Sequence, residues 1–219
     1  MPDSLAATAE ASAGDWHGAT LVIGTGHDLS LALLHDGVPA AVHHESMAKG
    51  HAEALMPAIA ALLAPFGGAG HRCGRIVVET GPGSFTGLRV GLAAARALAL
   101  AWGARLLGVR STQLVAAEAC AKAEGVPLLV ALAAPRGQIW VEGFGAGALL
   151  PPQALLPEQA RQLADRYARI AGTALLPRAQ APTPPHACAV QALAMSDLGG
   201  AEILYVRAPE SADRPHDNG

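Results

Sequence analysis

Gly81-Pro82-Gly83-Ser84-Phe85-Thr86-Gly87-Leu88-Arg89-Val90-Gly91 is the stretch on which the fold turns. It lies between a β-branched apolar run, Arg75 to Glu79, and an Ala-rich segment that ends at Trp102. A Gly-rich turn between a buried strand and a helix start presents free amide N–H groups. Together with the helix dipole these can hold an anion. Ser84 and Thr86 are good helix N-cap types. Gly81, Gly83, Ser84 and Thr86 are therefore candidates for a phosphate loop. The same composition also serves as a tight strand-to-helix turn that binds nothing.

Upstream, Thr20 to Ile23 reads as a strand ending at Gly24-Thr25-Gly26. Leu29 to His35 and Val38 to Glu45 flank Asp36-Gly37, a hairpin signal because the tight turn needs positive φ. Three consecutive strands predict a meander. From His51 to Ala64, Leu55, Ile59, Leu62 and Leu63 recur at helical spacing. Pro57 falls inside this span and should sit near the first turn or kink the helix. Downstream, Ser84 to Trp102 reads as a long helix and Leu106 to Val109 as a strand. After Arg110 the pattern partly restarts: Thr112 to Ala123 helical, Val126 to Ala133 and Gly137 to Phe144 strands. Loops then dominate, with a helix from Pro157 to Tyr167 and a short one from Val190 to Met195. The second half reads as a degraded copy of the first. The expected division is a tail over 1–19, a first lobe over 20–110, a second over 111–208, and a tail over 209–219.

The 219-residue chain is 51% hydrophobic and only 15% charged, so part of its surface is expected to be covered by a partner, unless the Ala content reflects genome bias. Net charge is −3, and no Lys/Arg run exceeds two residues. Tight nucleic-acid binding needs a basic footprint, so this chain alone is not expected to grip RNA or DNA tightly. Cys73, Cys120 and Cys188 are dispersed, which argues against a disulfide framework or thiolate metal site and fits a cytoplasmic location. The N-terminal segment lacks the marks of a signal peptide. The apolar region Leu92 to Trp102 carries Arg96 and is too short to span a bilayer, so no membrane association is expected.

GPGSFTGLRVG, followed by an Ala-rich helix and Leu107-Gly108-Val109, resembles the TsaB (YeaZ) family of tRNA threonylcarbamoyladenosine biosynthesis. Leu21-Val22-Ile23-Gly24-Thr25 sits where the family has its first strand and an Asp-Thr-Ser turn. His51-Ala52-Glu53-Ala54-Leu55-Met56-Pro57 resembles its His-x-Glu-x-x-x-Pro helix start. Ala131 to Trp140 is similar to its strand-turn segment entering the second lobe, and Tyr205-Val206-Arg207 to its C-terminal Tyr-Leu-Arg. The resemblance implies an α/β, actin/hexokinase/Hsp70-like (ASKHA) two-lobed fold with a reduced C-terminal lobe. It implies a non-catalytic subunit that binds and activates a TsaD-type threonylcarbamoyltransferase. A TsaE-type ATPase is expected in the same complex, and a homodimer when the chain is alone.

Departures from the family pattern bear on chemistry. Gly24 stands for the usual Asp, and Ala133 and Pro135 stand for the Asp and Arg of the second-lobe segment. Without those carboxylates little remains to hold Mg²⁺, which wants oxygen ligands, so no cofactor is expected. The catalytic relative carries paired metal-binding histidines after the equivalent Gly-Val; here those positions fall on Ser111 and Val115. Valine cannot ligate a metal and neutral serine is a poor ligand. His43 and His44 are adjacent on a strand and point to opposite faces. His51 and Glu53 lack the i,i+4 spacing of a helical metal pair. Cys73 beside Arg72 is either an activated thiol or a plain loop cysteine. No Gly-x-Ser-x-Gly elbow accompanies Ser84 or Ser111.

With no chemistry evident, surfaces should carry the function. The helix from His51 is apolar nearly all round, more than one buried stripe requires. The helix from Ser84 is rich in Gly and Ala, which permits close approach of another helix. The expected partner interface comprises His51, Glu53, Leu55, Met56, Ile59, Leu62, Leu63, Gly87, Arg89, Val90, Gly91 and Ala94. Two other readings exist: a small-molecule kinase of the same superfold, with Gly81 to Gly87 cradling phosphate, and a glycoprotease-like metallopeptidase.

Overall fold

A computed structural model describes residues 16–120, 126–145, 149–179 and 182–206. Both expected tails, apart from residues 16–19, and Arg207 lie outside the described residues. The first lobe opens with the meander β1 (Ala19–Gly24), β2 (Leu29–His35) and β3 (Val38–Glu45). Asp36 and Gly37 both take positive φ, 50° and 79°, as a two-residue hairpin turn that follows the strand twist requires. Asp36 Oδ1 accepts from the Gly18 amide at 2.7 Å, which closes the turn against the chain entering β1. Helix α1 (His51–Leu63) leads to β4 (Arg75–Gly81), and helix α2 (Phe85–Trp102) leads to β5 (Arg105–Arg110). The sheet order is β3-β2-β1-β4-β5, with β4 parallel to both β1 and β5.

Two cores explain why the central strands are apolar at nearly every position. Leu21, Ile23, Ile76 and Val78 pack against α1 and α2 through Leu55, Ile59, Leu62, Leu92 and Ala95. The alternate residues Val22, Val77, Leu107 and Val109 pack against Trp16, Leu114, Ala187 and Val190. A sheet covered on both faces loses the in-out alternation. β3, at the edge, keeps it. Trp16 lies inside the segment expected as a tail, yet it is buried and its indole Nε1 donates to the Leu193 carbonyl at 3.0 Å. Pro57 sits beyond the first turn of α1, and the helix runs on to Leu63.

The second lobe is smaller. Helix α3 (Ser111–Cys120) leads to β6 (Leu128–Ala133) and β7 (Ile139–Phe144). Residues 121–123 of the expected helix lie outside the described ones. Then come β8 (Leu150–Leu155), helix α4 (Pro157–Ala164) and β9 (Arg169–Ala171), in the sheet order β8-β7-β6-β9. Two expectations fail here. The region after Phe144 contains β8, whose Pro151-Pro152 is tolerated because it is an edge strand. Val190 to Met195 is not an α-helix but parts of two 3₁₀ turns, Ala187–Ala192 and Met195–Asp197. The C-terminal segment then returns to the first lobe. Gly199 and Gly108 exchange backbone hydrogen bonds at 2.9 Å, and the Leu204 amide reaches the Thr80 carbonyl at 2.8 Å.

Candidate functional site between the lobes

The turn after β1 and the start of α3 meet at one point, the carboxylate of Glu79 on β4, only 2% exposed. Its Oε2 accepts from the amides of Thr25 at 2.8 Å and Gly26 at 2.6 Å. Its Oε1 accepts from the Ser111 hydroxyl at 2.6 Å. Buried charge persists only when its lone pairs are engaged in this way. The amides of the first turn, which in such a loop can receive an anion from solution, are thus satisfied by a carboxylate of the chain itself.

Part of the Gly-rich loop is engaged in the same way. The Ser84 amide donates to the Gly26 carbonyl at 2.6 Å, and the Ser84 hydroxyl accepts from Gly87 N at 3.3 Å as the N-cap of α2. Gly81 and Pro82 are buried, whereas Ser84 and Thr86 are exposed. Gly87 and Gly91 are glycine because α2 presses on Thr25. A Cβ on Gly87 would lie 2.0 Å from the Thr25 carbonyl oxygen, and one on Gly91 2.2 Å from its Oγ1. The four loop candidates are therefore together in space, but the spacing that suggested a phosphate cradle is accounted for by helix-to-turn packing.

A second polar cluster joins the lobes. Arg110, at the end of β5, grips Glu142 of β7 with Nη2 at 2.7 Å and Nε at 3.1 Å. The Thr112 hydroxyl donates to the other oxygen of Glu142. Gln113 accepts from the Arg110 amide at 2.9 Å and donates to the Asp197 carbonyl at 2.8 Å. Neighbouring residues of one helix turn thus hold the first lobe through Ser111–Glu79 and the second through Thr112–Glu142. Val115 is fully buried in the apolar layer with Leu128, Val130 and Leu132. Among the described residues, no group of three His, Cys, Asp or Glu side chains converges in a way that could hold a metal ion. Cys73 is buried, and burial pushes its thiol up to about 11, the reverse of activation.

The expected interface residues separate into two sets. Leu55, Ile59, Leu62 and Leu63 are buried, Leu55 at 1% exposure, and they form the core beneath α1 rather than a surface. Gly87 and Gly91 are also buried. His51, the first residue of α1, is buried with Nε2 3.1 Å from the His27 carbonyl, so it does not present a surface. The correction has one cause: apolar residues at helical spacing mark the inward stripe, and what remains outside α1 is small. Glu53, Met56 and Arg89 are exposed, and Val90 and Ala94 half-buried. A surface groove of about 380 Å³ runs between the two helix starts, bordered by Lys49, Glu53, Thr86 and Val90. Glu79 and Glu142 were not singled out from sequence. A lone acid closing an apolar strand, as in Val77-Val78-Glu79, was the available signal.

By length and composition alone α2 would suffice to cross a membrane. Here it packs on the sheet through Leu88, Leu92 and Ala95 and carries Arg89 and Arg96 outward.

Comparison with known proteins agrees with this anatomy. A family model described as "TsaD: tRNA N6-adenosine threonylcarbamoyltransferase" matches residues 39–149. The TsaB biosynthesis protein of Escherichia coli (strain K12) is 28% identical over 152 residues, 64% of this chain and 65% of the relative. That of Bacillus subtilis (strain 168) is 34% identical over 91 residues, 42% of this chain and 40% of the relative. The chain therefore spans less than two thirds of either relative. YeaZ from Pseudomonas aeruginosa superposes with a TM-score of 0.69 at 23% identity, over 86% of this chain and all of that one. A second structure, described as similar to peptidase YEAZ from that organism, gives 0.73 at 24% identity, over 87% and 100%. These two share the fold of this chain. With half its length matched by the family model, the chain belongs to the TsaD family, in its TsaB (YeaZ) group.

Proposed function

We propose that this chain is a non-catalytic subunit that docks on a TsaD-type threonylcarbamoyltransferase and holds it active in forming threonylcarbamoyladenosine in tRNA. The observation that carries the proposal is Glu79. Its carboxylate occupies the turn amides and the Ser111 hydroxyl at the crevice where this fold would otherwise receive phosphate or metal. The kinase and metallopeptidase readings each need groups there that are free to bind, whereas Glu79, the Thr25 and Gly26 amides and the Ser111 hydroxyl are engaged with one another.

Docking falls to the outer faces of α1 and α2. These helices pack side by side, and their exposed residues include Ala52, Met56, Ala60, Ala93 and Ala97. Small side chains let a second helical layer approach to the 8–10 Å spacing of packed helices. A stable contact of this kind buries roughly 1,200–2,000 Å². In the absence of the transferase, the same ridge pairs two copies of the chain. A TsaE-type ATPase joins the assembly, in the cytoplasm.

The test is co-elution with a TsaD-type subunit, followed by nucleoside analysis of the tRNA with and without this chain. Met56→Glu and Ala97→Glu should abolish co-elution and modification while leaving the circular dichroism spectrum unchanged. Full modification by these variants would refute the docking face, and transfer by the chain alone would refute the non-catalytic role.

A further inference from the structure

A small cavity between the lobes remains unused by this reading. It has about 190 Å³, and half of its lining residues carry rings, three of them aromatic: Phe85, Trp140 and Tyr205. Drug-sized ligands occupy about 300–1,000 Å³, so this slot suits one ring system, not a whole nucleotide. Phe85 and Tyr205 are each 53% exposed. Their centroids are 5.9 Å apart. The Arg89 guanidinium lies 3.7 Å from the Phe85 centroid and reaches the Tyr205 hydroxyl at 3.4 Å.

On the first-lobe side the charged side chains of α2 are both cationic, Arg89 and Arg96, and Glu202 is the one acid in the segment that faces them. Between Glu79 and Glu118 the sequence contains no Asp or Glu, but has Arg89, Arg96, Arg105 and Arg110. Arg110 is held by Glu142. Arg89 and Arg96 lie two helical turns apart, about 10 Å, on the flank of α2 that faces residues 201–205. Arg96 makes one long contact there, 3.4 Å to the Ala201 carbonyl. Most of the five donors of each guanidinium remain available. This flank is distinct from the small-residue ridge that α2 shares with α1.

The geometry points to a site for single-stranded RNA: one unstacked base enters the ring-lined slot while flanking phosphates lie on Arg89 and Arg96. Aromatic stacking beside a cationic track is the general chemistry of single-strand recognition. The inference deepens the proposed role in tRNA modification and rests on it. It calls for weak contacts made within a complex, in keeping with a chain whose net charge is −3.

The experiment uses the full chain and a single-stranded RNA oligomer bearing 2-aminopurine, at about 50 mM salt. Binding should quench the probe, and the single strand should bind more tightly than its duplex. Tyr205→Ala should weaken binding roughly five- to hundredfold. Arg96→Gln should reduce the salt slope by about 0.7, one phosphate contact on a single strand. Arg161→Gln, on α4, should change neither. The inference is overturned by absent quenching, by equal affinity for duplex, or by an unaltered slope in Arg96→Gln. It is also overturned if adenosine monophosphate or polyglutamate displaces the oligomer at equal concentration, which would assign the slot to a free nucleotide or the flank to an acidic protein. Co-elution with the transferase subunit is scored in parallel. Its loss in the unaltered chain defeats the docking proposal, whereas intact co-elution with failed RNA binding defeats only this one.

Discussion

Replacing Glu79 separates a structural carboxylate from a ligand-binding one. In Glu79→Ala three buried donors lose their acceptor: the Thr25 and Gly26 amides and the Ser111 hydroxyl. Each orphaned donor costs about 1–3 kcal/mol. Relief from burying a charge offsets part of this. The expected net loss is about 3–5 kcal/mol, a large share of the ~5–15 kcal/mol that stabilises a typical domain. Glu79→Gln differs. Its amide oxygen still accepts from both backbone amides, and its NH₂ can donate to the Ser111 oxygen. Only the charge assistance is lost, about 1–1.5 kcal/mol. Urea unfolding followed by circular dichroism measures both through the shift in midpoint at constant m. A Glu79→Ala variant within about 1 kcal/mol of the parent would refute the reasoning. So would Gln and Ala costing the same, since that would make the charge itself, not its acceptor geometry, the essential property.

Gly87→Ala should destabilise by more than about 2 kcal/mol, because its Cβ would overlap the Thr25 carbonyl and overpacking forces backbone shifts; a stability unchanged in urea melts would show that α2 can move away freely. Leu55→Glu should yield insoluble protein and Met56→Glu soluble protein, a contrast read from the supernatant after lysis, since Leu55 is 1% and Met56 48% exposed. Cys73 should resist alkylation at pH 8 until denaturant is added. Its folded pKa lies above that of the unfolded thiol, so its stabilising contribution is intact at neutral pH. That contribution falls away as pH rises past the thiol's ordinary value toward about 11, which alkaline-side melts would register as lost stability. Arg110→Met leaves Glu142 buried without its cation and should cost about 2–4 kcal/mol, measured against the milder double replacement with Glu142→Leu.

The meander, both long helices of the first lobe and β4 were legible because each carries a strong local signal: Asp36-Gly37, the Leu55-Ile59-Leu62 spacing, and the Gly-rich entry to α2. What was misread follows from one ambiguity. Periodicity identifies an apolar stripe but does not say which neighbour it faces, so the spacing of the core leucines of α1 reads equally as a docking surface. β8 was missed because Leu150-Pro151-Pro152 contradicts strand propensity, and only its place at a sheet edge makes the prolines acceptable. β9 is three residues long, too short for any period. The one local signal at Glu79 is an acid closing an apolar strand; its role is not legible there, because its partners are 32 to 54 positions away in the chain.

Ser111 and Thr112 are consecutive, yet one anchors a side chain of the first sheet and the other a side chain of the second. Hinge-bending enzymes of two lobes need slack at such a junction to clamp and release. Here any change in the opening angle would stretch two interior tethers at once, so the chain behaves as a stiff wedge. A wedge loses little conformational freedom when seated, so under the proposed docking the motion would fall to the partner.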